Sequence, residues 1–378
     1  MKVFITYAYA GIGHKKAALA IGNALREYKD IEISTFDVLD YSNGLFRFLY
    51  PRVYLFLIDR ASFLWGLLYY FLDISCVDKL VAPLRRIFHC LETKKFAGFI
   101  LKEKPDVILC THFLPADVVS YLKKKGLYKG KLITVITDFM PHAFWIASYS
   151  DYFIVAIDKT KKALIERGIN GDNVKALGIP CEQKFSLSKS REGVIKKLGL
   201  ETGYFTVLVM GGGFGTGPVR EIVRAIYNLS LKNKDRIQVL VICGKNKALL
   251  EQLNVQGGIF KKGSSNHIVK AFGYVDNVDE FMGVSDLIVT KSGGLTVSEA
   301  LSKRLPMIII KPIPGQETRN SNLLTGYGTA VRANNVRQVR DHVENFILYP
   351  EKILGMKTRI NLLAYPNAAR EIAEFIVK

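Results

Sequence analysis

A histidine follows two glycines at the point where the first apolar run of the chain ends. The segment Gly11-Ile12-Gly13-His14 comes after Val3–Tyr7 and precedes a helical stripe of apolar residues. Glycines let the backbone turn sharply, and the free N–H groups of a helix N-terminus disfavour an imidazolium. We therefore predict that His14 is a neutral general base toward a hydroxyl, with a helix-start histidine of no chemical role as the alternative.

A second glycine-rich turn occurs in the C-terminal half of the chain. Five of the seven residues from Gly211 to Gly217 are glycine, and they follow the apolar run Thr206–Met210. Because each glycine costs backbone entropy, we favour a cradle of backbone N–H groups for a phosphate over a tight turn alone. The absence of a following Gly-Lys-Ser/Thr excludes a P-loop, and no acidic residue stands where a dinucleotide fingerprint needs one.

Two further turns carry groups suited to a diphosphate and to sugars, after the apolar runs Leu287–Thr290 and Met307–Ile310. Glu299 lies about one helical turn in, where a carboxylate can accept from two vicinal ribose hydroxyls or merely complement the helix dipole. For the second turn, the alternative to hexose binding is an ordinary surface loop. The candidate diphosphate donors are Ser292, Gly293, Gly294 and Thr296, and the candidate hexose contacts are Gln316, Glu317 and Asn320.

A polar and aromatic segment, Thr137–Trp145, follows the apolar run Leu132–Ile136. We expect Asp138 at the ligand-binding edge of a sheet, where it can orient a histidine or accept a proton. His142 and Trp145 can line an acceptor site. The alternative is an N-cap aspartate beside aromatic rings that only pack.

The composition is that of a globular protein with an unusual excess of positive charge. Hydrophobic residues make up 49% and charged residues 23%, which excludes a disordered chain. The 53 Lys+Arg against 34 Asp+Glu give a net charge of +19, so we expect an anionic partner: nucleic acid, a phosphorylated small molecule or an acidic membrane. The five cysteines are widely spaced, which favours reduced thiols over a disulfide framework or zinc site.

Aromatic residues concentrate between Gly44 and Leu72, with ten in 29 residues, and basic residues follow, including the run Lys123–Lys131. This mixture is typical of an interfacial membrane-binding element, with buried core helices and solvated lysines as the alternative. The apolar run Ala61–Leu72 is too short to span a bilayer, and the N-terminus is predicted to be a strand instead of a signal peptide. The candidate acceptor or membrane contacts are Gly13, Phe56, Phe63, Trp65, Arg85, Arg86, His142 and Trp145.

Strand patterns alternate with helix patterns throughout the chain, and the alternation restarts after the segment from Gly178 to Ser190. Such alternation predicts parallel sheets with helices on both faces. Because each glycine-rich strand–helix turn opens its own series, we predict two such sheets, in residues 1–182 and 190–361.

Together these motifs resemble those of the monogalactosyldiacylglycerol synthases and processive diacylglycerol glucosyltransferases. That family shares the GT-B fold with the peptidoglycan N-acetylglucosaminyltransferase MurG. The resemblance spans the chain, and the order and spacing of the motifs carry it. The matching segments are Gly11-x-Gly13-His14, Thr137–Trp145, Gly211–Gly217, Cys243-Gly244-x-Asn246, Phe272–Val275, Lys291–Glu299 and Pro314–Glu317.

The resemblance implies an α/β GT-B fold, with two Rossmann-like doubly wound domains and substrates in the cleft between them. Residues 1–182 would bind the acceptor and the membrane, and residues 190–361 would bind a UDP-sugar. A C-terminal helix of about residues 362–378 would pack back on the first domain. The protein would be cytoplasmic and peripheral, on the inner leaflet of the cell membrane.

The resemblance also implies a role for each candidate residue. His14 would deprotonate the acceptor hydroxyl with support from Asp138, and the reaction would invert the anomeric carbon without a metal or other cofactor. The uracil would lie near Phe272, Gly273 and Tyr274, the ribose at Glu299, and the hexose at Gln316, Glu317 and Asn320. The diphosphate would contact Gly211, Gly212, Gly213, Gly215, Gly293, Gly294 and Thr296.

The implied partners are UDP-glucose or UDP-galactose, a diacylglycerol-type lipid and an anionic membrane. A MurG-like transferase for a polyprenyl-linked acceptor and a non-catalytic lipid- or nucleotide-binding protein of the same fold stay open as alternatives. A nucleic-acid binder is disfavoured because helix-turn-helix, RNP and zinc spacings do not occur in the sequence. The donor hexose, the number of sugars added, the exact lipid and the oligomeric state also stay open.

Overall fold

The computed structural model describes residues 1–9, 11–213, 215, 217–230, 236–254 and 267–378. Phe214 and Thr216, which belong to the predicted Gly211–Gly217 turn, lie outside these residues. Within the described ranges the chain forms two six-stranded sheets, one in each half of the sequence.

The N-terminal half alternates strands and helices around the first sheet. The strands are β1 (Lys2–Tyr7), β2 (Glu32–Asp37), β3 (Val107–Cys110), β4 (Lys131–Val135), β5 (Tyr152–Val155) and β6 (Val174–Ala176). The helices are α1 (Ile12–Leu25), α2 (Gly44–Arg60), α3 (Ser62–Leu72), α4 (Ser75–Glu92), α5 (Lys94–Glu103), α6 (Phe113–Lys124) and α7 (Asp158–Ile165). All strand pairs are parallel, in the order β2-β1-β3-β4-β5-β6. Strand β3 is buried at every position, as parallel strands covered on both faces are.

The C-terminal half repeats this architecture. Its strands are β7 (Phe205–Met210), β8 (Ile237–Ile242), β9 (Ile268–Phe272), β10 (Leu287–Thr290), β11 (Met307–Ile310) and β12 (Ala330–Ala333). Its helices are α8 (Arg191–Lys197), α9 (Val219–Tyr227), α10 (Lys247–Asn254), α11 (Val278–Val284), α12 (Gly294–Ser302), α13 (Gln316–Gly326), α14 (Val336–Leu348) and α15 (Pro350–Ile360). The parallel order is β12-β11-β10-β7-β8-β9. The two parallel sheets predicted from the alternation of elements are confirmed.

The chain ends in helix α16 (Ala368–Val377), which returns to the N-terminal sheet. Its Ile372 and Ala373 are buried in one apolar cluster with Ile5 of β1 and Ile21 of α1. The chain therefore crosses between the two halves twice, once after β6 and once before α16.

A continuous apolar core joins the two halves. Phe139 and Ala156 of the N-terminal half belong to the same buried cluster as Leu208 and Val297 of the C-terminal half. Because protein interiors are close-packed, such a cluster holds the two sheets in one relative orientation.

Helices α2, α3 and α4 carry many large apolar side chains on their exposed sides. Helix α3 buries only Gly66 and Tyr69, so the alternative of buried core helices is wrong for this segment. We call this surface the apolar face. It comprises Leu45, Phe48, Leu49, Val53, Phe56, Phe63, Leu64, Leu67, Leu68, Phe71, Leu80, Leu84, Ile87, Phe88 and Leu91.

No single helix in the described ranges is both long and apolar enough to cross a membrane. The segments Gly44–Ile58 and Ser62–Leu72, bent by 107° with respect to each other, meet the criterion of length and composition only as a pair. Contiguous exposed apolar surface of this kind is typical of an interaction site.

Candidate active site

A cleft of about 480 Å³ lies where the carboxyl ends of the two sheets face each other. Three helices begin at its wall: α1 at Ile12, α12 at Gly294 and α13 at Gln316. A helix N-terminus offers unpaired N–H groups and a partial positive charge. The convergence of three such ends makes the cleft suited to a polyanion.

The two halves approach each other closely at Gly294. A Cβ atom at this position would collide with the carbonyl oxygen of Thr137, at the carboxyl end of the N-terminal sheet. A Cβ on Gly13 would lie 3.7 Å from the Cβ of Leu295, so the first turns of α1 and α12 are also in contact range. Glycine at position 294 is therefore required for α12 to begin at the cleft.

The amide of Asn320 bridges the two halves. Its Oδ1 accepts from the backbone N–H of Phe139 at 3.0 Å, and its Nδ2 donates to the carbonyl of Ser292 at 3.0 Å. Nδ2 also lies 3.5 Å from Oδ1 of Asp138. Asn320 is 0% exposed, so its predicted hexose contact is corrected: the amide is used within the protein.

Two further contacts connect α13 to the helices of the apolar face. Nε2 of Gln316 donates to the hydroxyl of Tyr54 on α2 at 2.8 Å. Asp73, at the end of α3, forms ion pairs with Arg319 of α13 and with Arg167. Burial acts to raise the pKa of Asp73, but the bond from Arg167 and the other positive partners lower it to about 2.

His14 is oriented by backbone and hydroxyl groups of neighbouring strand ends. Its Nδ1 lies 2.8 Å from the carbonyl of Thr111 and 3.1 Å from Oγ1 of Thr137. Because a carbonyl only accepts, Nδ1 carries the proton and Nε2 keeps its lone pair. Burial lowers the pKa of His14 to about 4, so the imidazole is neutral near pH 7.

Asp138 lies beside the histidine site but does not orient the ring of His14, whose Nδ1 bonds to Thr111 instead. Its Oδ2 accepts from Nε1 of Trp145 at 3.3 Å. Burial raises the pKa of Asp138 to about 6. The carboxyl group is therefore still mostly ionised at pH 7 but takes up a proton about two pH units higher than an exposed aspartate does.

Glu299 lines the cleft from the first turns of α12 and is 4% exposed. Burial raises its pKa to about 7, while the charge of Lys16 on the opposite wall acts to lower it. Glu317 also lines the cleft, and its carboxylate accepts from the N–H of Ile313 at 2.9 Å. Burial raises the pKa of Glu317 as well.

The glycines of the predicted Gly211–Gly217 turn have two different roles: some line the cleft, and one packs against a neighbouring loop. Gly211, Gly212 and Gly213 line the cleft. Gly215 has a φ of +61°, and a Cβ there would collide with the carbonyl of Cys243. The carbonyl of Gly215 accepts from Nδ2 of Asn246 at 3.2 Å, so this glycine anchors the turn to the loop after β8.

Of the remaining residues predicted to bind the nucleotide sugar, some line the cleft and others do not. Gly293 and Thr296 line the cleft, as does Tyr274. The Ser292 hydroxyl, by contrast, is buried and donates to the carbonyl of Glu317 at 2.6 Å, so its predicted diphosphate contact is corrected. Phe272 and Gly273 stand at the end of β9 and are not among the described residues that line the cleft.

A second cavity, of about 580 Å³, lies between α2, α3, α4 and the carboxyl end of the N-terminal sheet. Four residues line both cavities, which therefore meet: His14, Tyr54, Asp138 and Gln316. The remaining wall is mostly aromatic and aliphatic. It includes Leu45, Phe46, Leu49, Tyr50, Val53, Leu57, Trp65, Tyr69, Phe88, Phe113, Phe144 and Trp145.

The apolar cavity borders the apolar face. Leu45, Leu49, Val53 and Phe88 line the cavity and are also exposed on the outer surface. An apolar molecule inside the cavity therefore contacts side chains that also belong to the apolar face.

Arg85 and Arg86, predicted to contact an acceptor or a membrane, both bond to one buried carboxylate. Nε of Arg85 donates to the buried carboxylate of Asp117 at 2.9 Å, and Nε of Arg86 donates to it at 3.4 Å. Nδ1 of His89 lies 3.1 Å from the same carboxylate. A buried carboxylate needs such partners, so the two arginines neutralise Asp117, although Arg85 also lines the apolar cavity.

The predicted acceptor residues fall into two groups. His142 and Trp145 line the apolar cavity and are almost fully buried; Nε2 of His142 lies 2.8 Å from the carbonyl of Tyr69. Phe56 and Phe63 are exposed on the apolar face, and Trp65 lines the cavity. Across the described residues, no group of three or more His, Cys, Asp or Glu side chains is placed to hold a metal ion.

Several residues at the junction of the two cavities carry no signal that sequence patterns reveal. Tyr54 belongs to an apolar helix without a marked polar face, and only its contact with Gln316 identifies it. The ring of His112 meets that of His14 edge to face at 4.7 Å, although nearly 100 residues separate them. Lys16 follows the first motif by two residues in the sequence. Its position opposite Glu299 is set by the contact between α1 and α12, which the sequence does not reveal.

Profiles of two protein families match adjoining parts of the chain. Residues 14–181 match monogalactosyldiacylglycerol (MGDG) synthase, and residues 206–343 match the glycosyltransferase family 28 C-terminal domain. The first match falls on the N-terminal sheet with the apolar face, and the second on the C-terminal sheet.

Individual relatives match over the whole chain. A processive diacylglycerol beta-glucosyltransferase of Bacillus pumilus is 31% identical over 382 residues, which cover 100% of this chain and 94% of the relative. A protein of the same description from Bacillus cytotoxicus is 29% identical, with 100% of this chain and 93% of the relative covered.

Solved structures share the fold at low sequence identity. MurG of Acinetobacter baumannii superposes with a TM-score of 0.63 at 14% identity, covering 100% of this chain and 99% of the other. The S. aureus MnaA–UDP structure superposes with a TM-score of 0.62 at 15% identity, and the match covers 100% of this chain and 96% of the other. At such identities the likeness shows the fold, which is GT-B.

The two facing parallel sheets and the cleft between them define the GT-B fold class, and the family matches make the chain a glycosyltransferase. The chain belongs to the family of the processive diacylglycerol beta-glucosyltransferases, as the motifs predicted.

The bridging role of Asn320 gives a stability prediction. We expect Asn320→Ala to lower the free energy of unfolding by about 2–4 kcal/mol, because the buried N–H of Phe139 and the carbonyl of Ser292 lose their partner. Urea unfolding followed by circular dichroism measures the change. The control is Asn322→Ala on the same helix, where an exposed amide is removed and we expect less than about 1 kcal/mol. Equal small effects of the two substitutions would contradict the bridging role.

Proposed function

We propose that the protein transfers glucose from UDP-glucose to the free hydroxyl of diacylglycerol at a membrane surface. The observation that carries this proposal is the meeting of two unlike cavities at His14. One is polar and bordered by three helix N-termini, and the other is apolar and continuous with the apolar face. The names of the relatives support glucose and diacylglycerol as the substrates.

In this proposal the nucleotide sugar occupies the cleft. The carboxylate of Glu299 accepts from the ribose hydroxyls, and the backbone of Gly211–Gly213 and Gly293–Gly294 donates to the diphosphate. Support comes from their positions on one wall of the cleft, at a strand end and a helix start. Gln316 and Glu317, at the first turn of α13, lie where the hexose would meet the second cavity.

The acceptor occupies the apolar cavity with its hydroxyl at His14. Nε2 of His14 takes the hydroxyl proton while the oxygen attacks the anomeric carbon on the face opposite the UDP group. The bond from that carbon to the diphosphate oxygen breaks, UDP leaves with the electron pair, and the configuration inverts. Helix N-termini and backbone donors stabilise the leaving diphosphate, so the proposed reaction uses no metal.

We further propose that the apolar face lies in the cytoplasmic leaflet of the membrane. Its exposed side chains include Phe63, which is 77% exposed, and Leu80, which is 74% exposed. A helix that faces water normally exposes polar side chains at such positions. Exposed cations on the same helices and next to them support an anionic surface. They are Arg47, Arg52, Arg60, Lys79, Lys94 and Lys95.

The basic run Lys123–Lys131 does not belong to this surface. It connects the end of α6 to the start of β4, at the amino end of the N-terminal sheet, whereas the cleft is at the carboxyl end. Lys123 is also paired with Asp151 at 2.7 Å. The membrane contact proposed here therefore rests on α2, α3 and α4.

The proposed base is tested with radiolabelled UDP-glucose and anionic vesicles that contain diacylglycerol. We expect His14→Gln to lower kcat by about 10²–10⁴-fold, because no group takes the hydroxyl proton, while the Kd for UDP-glucose changes by less than about threefold. His342→Gln, in the C-terminal half and outside both cavities, is the control and should transfer glucose normally. Undiminished transfer by His14→Gln would remove His14 from this role, and absence of labelled lipid with the wild type would refute the function.

The proposed ribose contact predicts a pH dependence of nucleotide binding. Because the pKa of Glu299 is about 7, the carboxylate takes up a proton between about pH 8 and about pH 6 and then accepts hydroxyls less well. We expect the Kd for UDP-glucose to rise roughly tenfold over this range, measured by calorimetry without lipid. In Glu299→Gln, affinity should be weak and flat with pH. An equally steep profile in the variant would place the titrating group elsewhere.

The membrane contact is tested by vesicle flotation. We expect the double substitution Phe63→Ser and Leu80→Ser to lower the bound fraction at least about tenfold, because each side chain loses on the order of 2 kcal/mol of burial in the bilayer. The matched control replaces Leu354 and Leu362 by serine; these side chains are 66% and 69% exposed in the C-terminal half. Equal loss of binding in both proteins would refute the orientation.

A further inference from the structure

Two histidines at strand ends of the N-terminal sheet cap the turns that follow them in the same way. Nδ1 of His112 accepts from the N–H of Leu114 at 3.1 Å. Nδ1 of His142 accepts from the N–H of Phe144 at 3.0 Å. A backbone N–H only donates, so Nδ1 is the acceptor in each ring and the proton of the neutral imidazole is on Nε2. Each histidine therefore presents an Nε2–H donor.

The two Nε2–H groups differ in what surrounds them. Nε2 of His142 donates to the carbonyl of Tyr69 at 2.8 Å. Nε2 of His112 has no hydrogen-bond partner among the described residues, although the side chain is only 2% exposed. His112 lines the apolar cavity and is not among the described residues that line the nucleotide cleft. Because a buried donor left unpaired costs about 1–3 kcal/mol, the N–H of His112 calls for an acceptor atom on a molecule in the apolar cavity.

His112 is held directly beside the proposed base. Its ring meets that of His14 edge to face, with centroids 4.7 Å apart. The preceding residue, Thr111, binds His14 twice: its carbonyl accepts from Nδ1 of the ring, and its hydroxyl donates to the backbone carbonyl. Burial lowers the pKa of His112, so the ring is neutral near pH 7 and donates without bringing a charge into the cavity. A lipid whose hydroxyl lies at His14 therefore has its next oxygen atoms near His112.

The chemistry of an acylated glycerol matches this donor. The carbon next to the one that bears the free hydroxyl carries an ester, and the carbonyl oxygen of an ester only accepts. An ether oxygen in the same place is a much weaker acceptor than a carbonyl. A single N–H beside the base is thus enough to distinguish an ester-linked lipid from an ether-linked lipid of the same shape.

We propose that Nε2–H of His112 donates to the ester carbonyl next to the acceptor hydroxyl and makes the enzyme selective for ester-linked over ether-linked glycerol lipids. The inference rests on the proposed function and deepens it, because it names the group of the acceptor that the site recognises. The acceptor is then held at two points, the hydroxyl at His14 and the carbonyl at His112. Two fixed points set the direction from which the hydroxyl oxygen attacks.

The test measures kcat/KM with UDP-glucose and the full-length protein for three acceptors at equal mole fraction in anionic vesicles. They are diacylglycerol, its dialkyl ether analogue, and a mixed analogue whose only ester is next to the free hydroxyl. We expect the wild type to favour diacylglycerol over the dialkyl ether roughly tenfold, which corresponds to one hydrogen bond, and to use the mixed analogue as well as diacylglycerol.

The informative substitution is His112→Asn, which we expect to abolish the preference for the ester. Asparagine keeps the cap, since Asn43 and Asn170 accept from the N–H two residues on in the same way. Its amide is too short to reach the carbonyl that Nε2 of the histidine reaches. The ratio of kcat/KM for diacylglycerol to that for the dialkyl ether should therefore fall roughly tenfold.

The matched control is His142→Asn, which changes the same kind of cap in the same cavity but removes a donor that is already bonded to the protein. The ratio should stay at its wild-type value in this variant. An unchanged ratio in His112→Asn would overturn the proposal, as would an equal fall of the ratio in the control. So would a wild-type protein without a preference, or one that uses the mixed analogue no better than the dialkyl ether. A wild-type protein that glucosylates none of the three acceptors would instead refute the proposed function.

Discussion

The close approach of two sheet edges is the constraint on which the rest of the molecule depends. Helix α12 can begin at the cleft only because Gly294 has no side chain in front of the Thr137 carbonyl, and the buried amide of Asn320 holds the same edges together. These contacts bring three helix N-termini to one cavity. A basic composition by itself would not create this site, because most of the charge is spread over the surface, whereas helix ends act at short range.

Burial sets the charge of the site as much as the choice of residues does. The same loss of solvent lowers the pKa of His14 to about 4 and raises those of Asp138 and Glu299 to about 6 and about 7. All three shifts favour the neutral form. The cleft is therefore less negative than its carboxyl groups suggest, which favours the entry of an anionic nucleotide.

Sequence patterns predicted the fold and much of the cleft because both depend on local signals. Apolar runs that end in glycine-rich turns specify parallel strands, and such strands place the residue after each turn at one edge. Residues whose role depends on a distant partner were assigned less well. Arg85 pairs with Asp117, and Asn320 pairs with the backbone of Phe139. The sequence around Asp117 or Phe139 does not identify either residue as such a partner. In helix α2, apolar residues on all sides hide the position of Tyr54.

The rim shared by the apolar cavity and the outer surface has a kinetic consequence. The residues that belong to both are Leu45, Leu49, Val53 and Phe88. In the proposed orientation the lipid acceptor therefore passes from the membrane into the cavity without crossing water. The enzyme then meets its lipid acceptor by lateral diffusion within the membrane plane, whereas the nucleotide reaches the cleft by diffusion through the solution. Turnover should follow the mole fraction of acceptor in the leaflet, and dilution of the vesicles at constant lipid composition should change it little once the protein is bound.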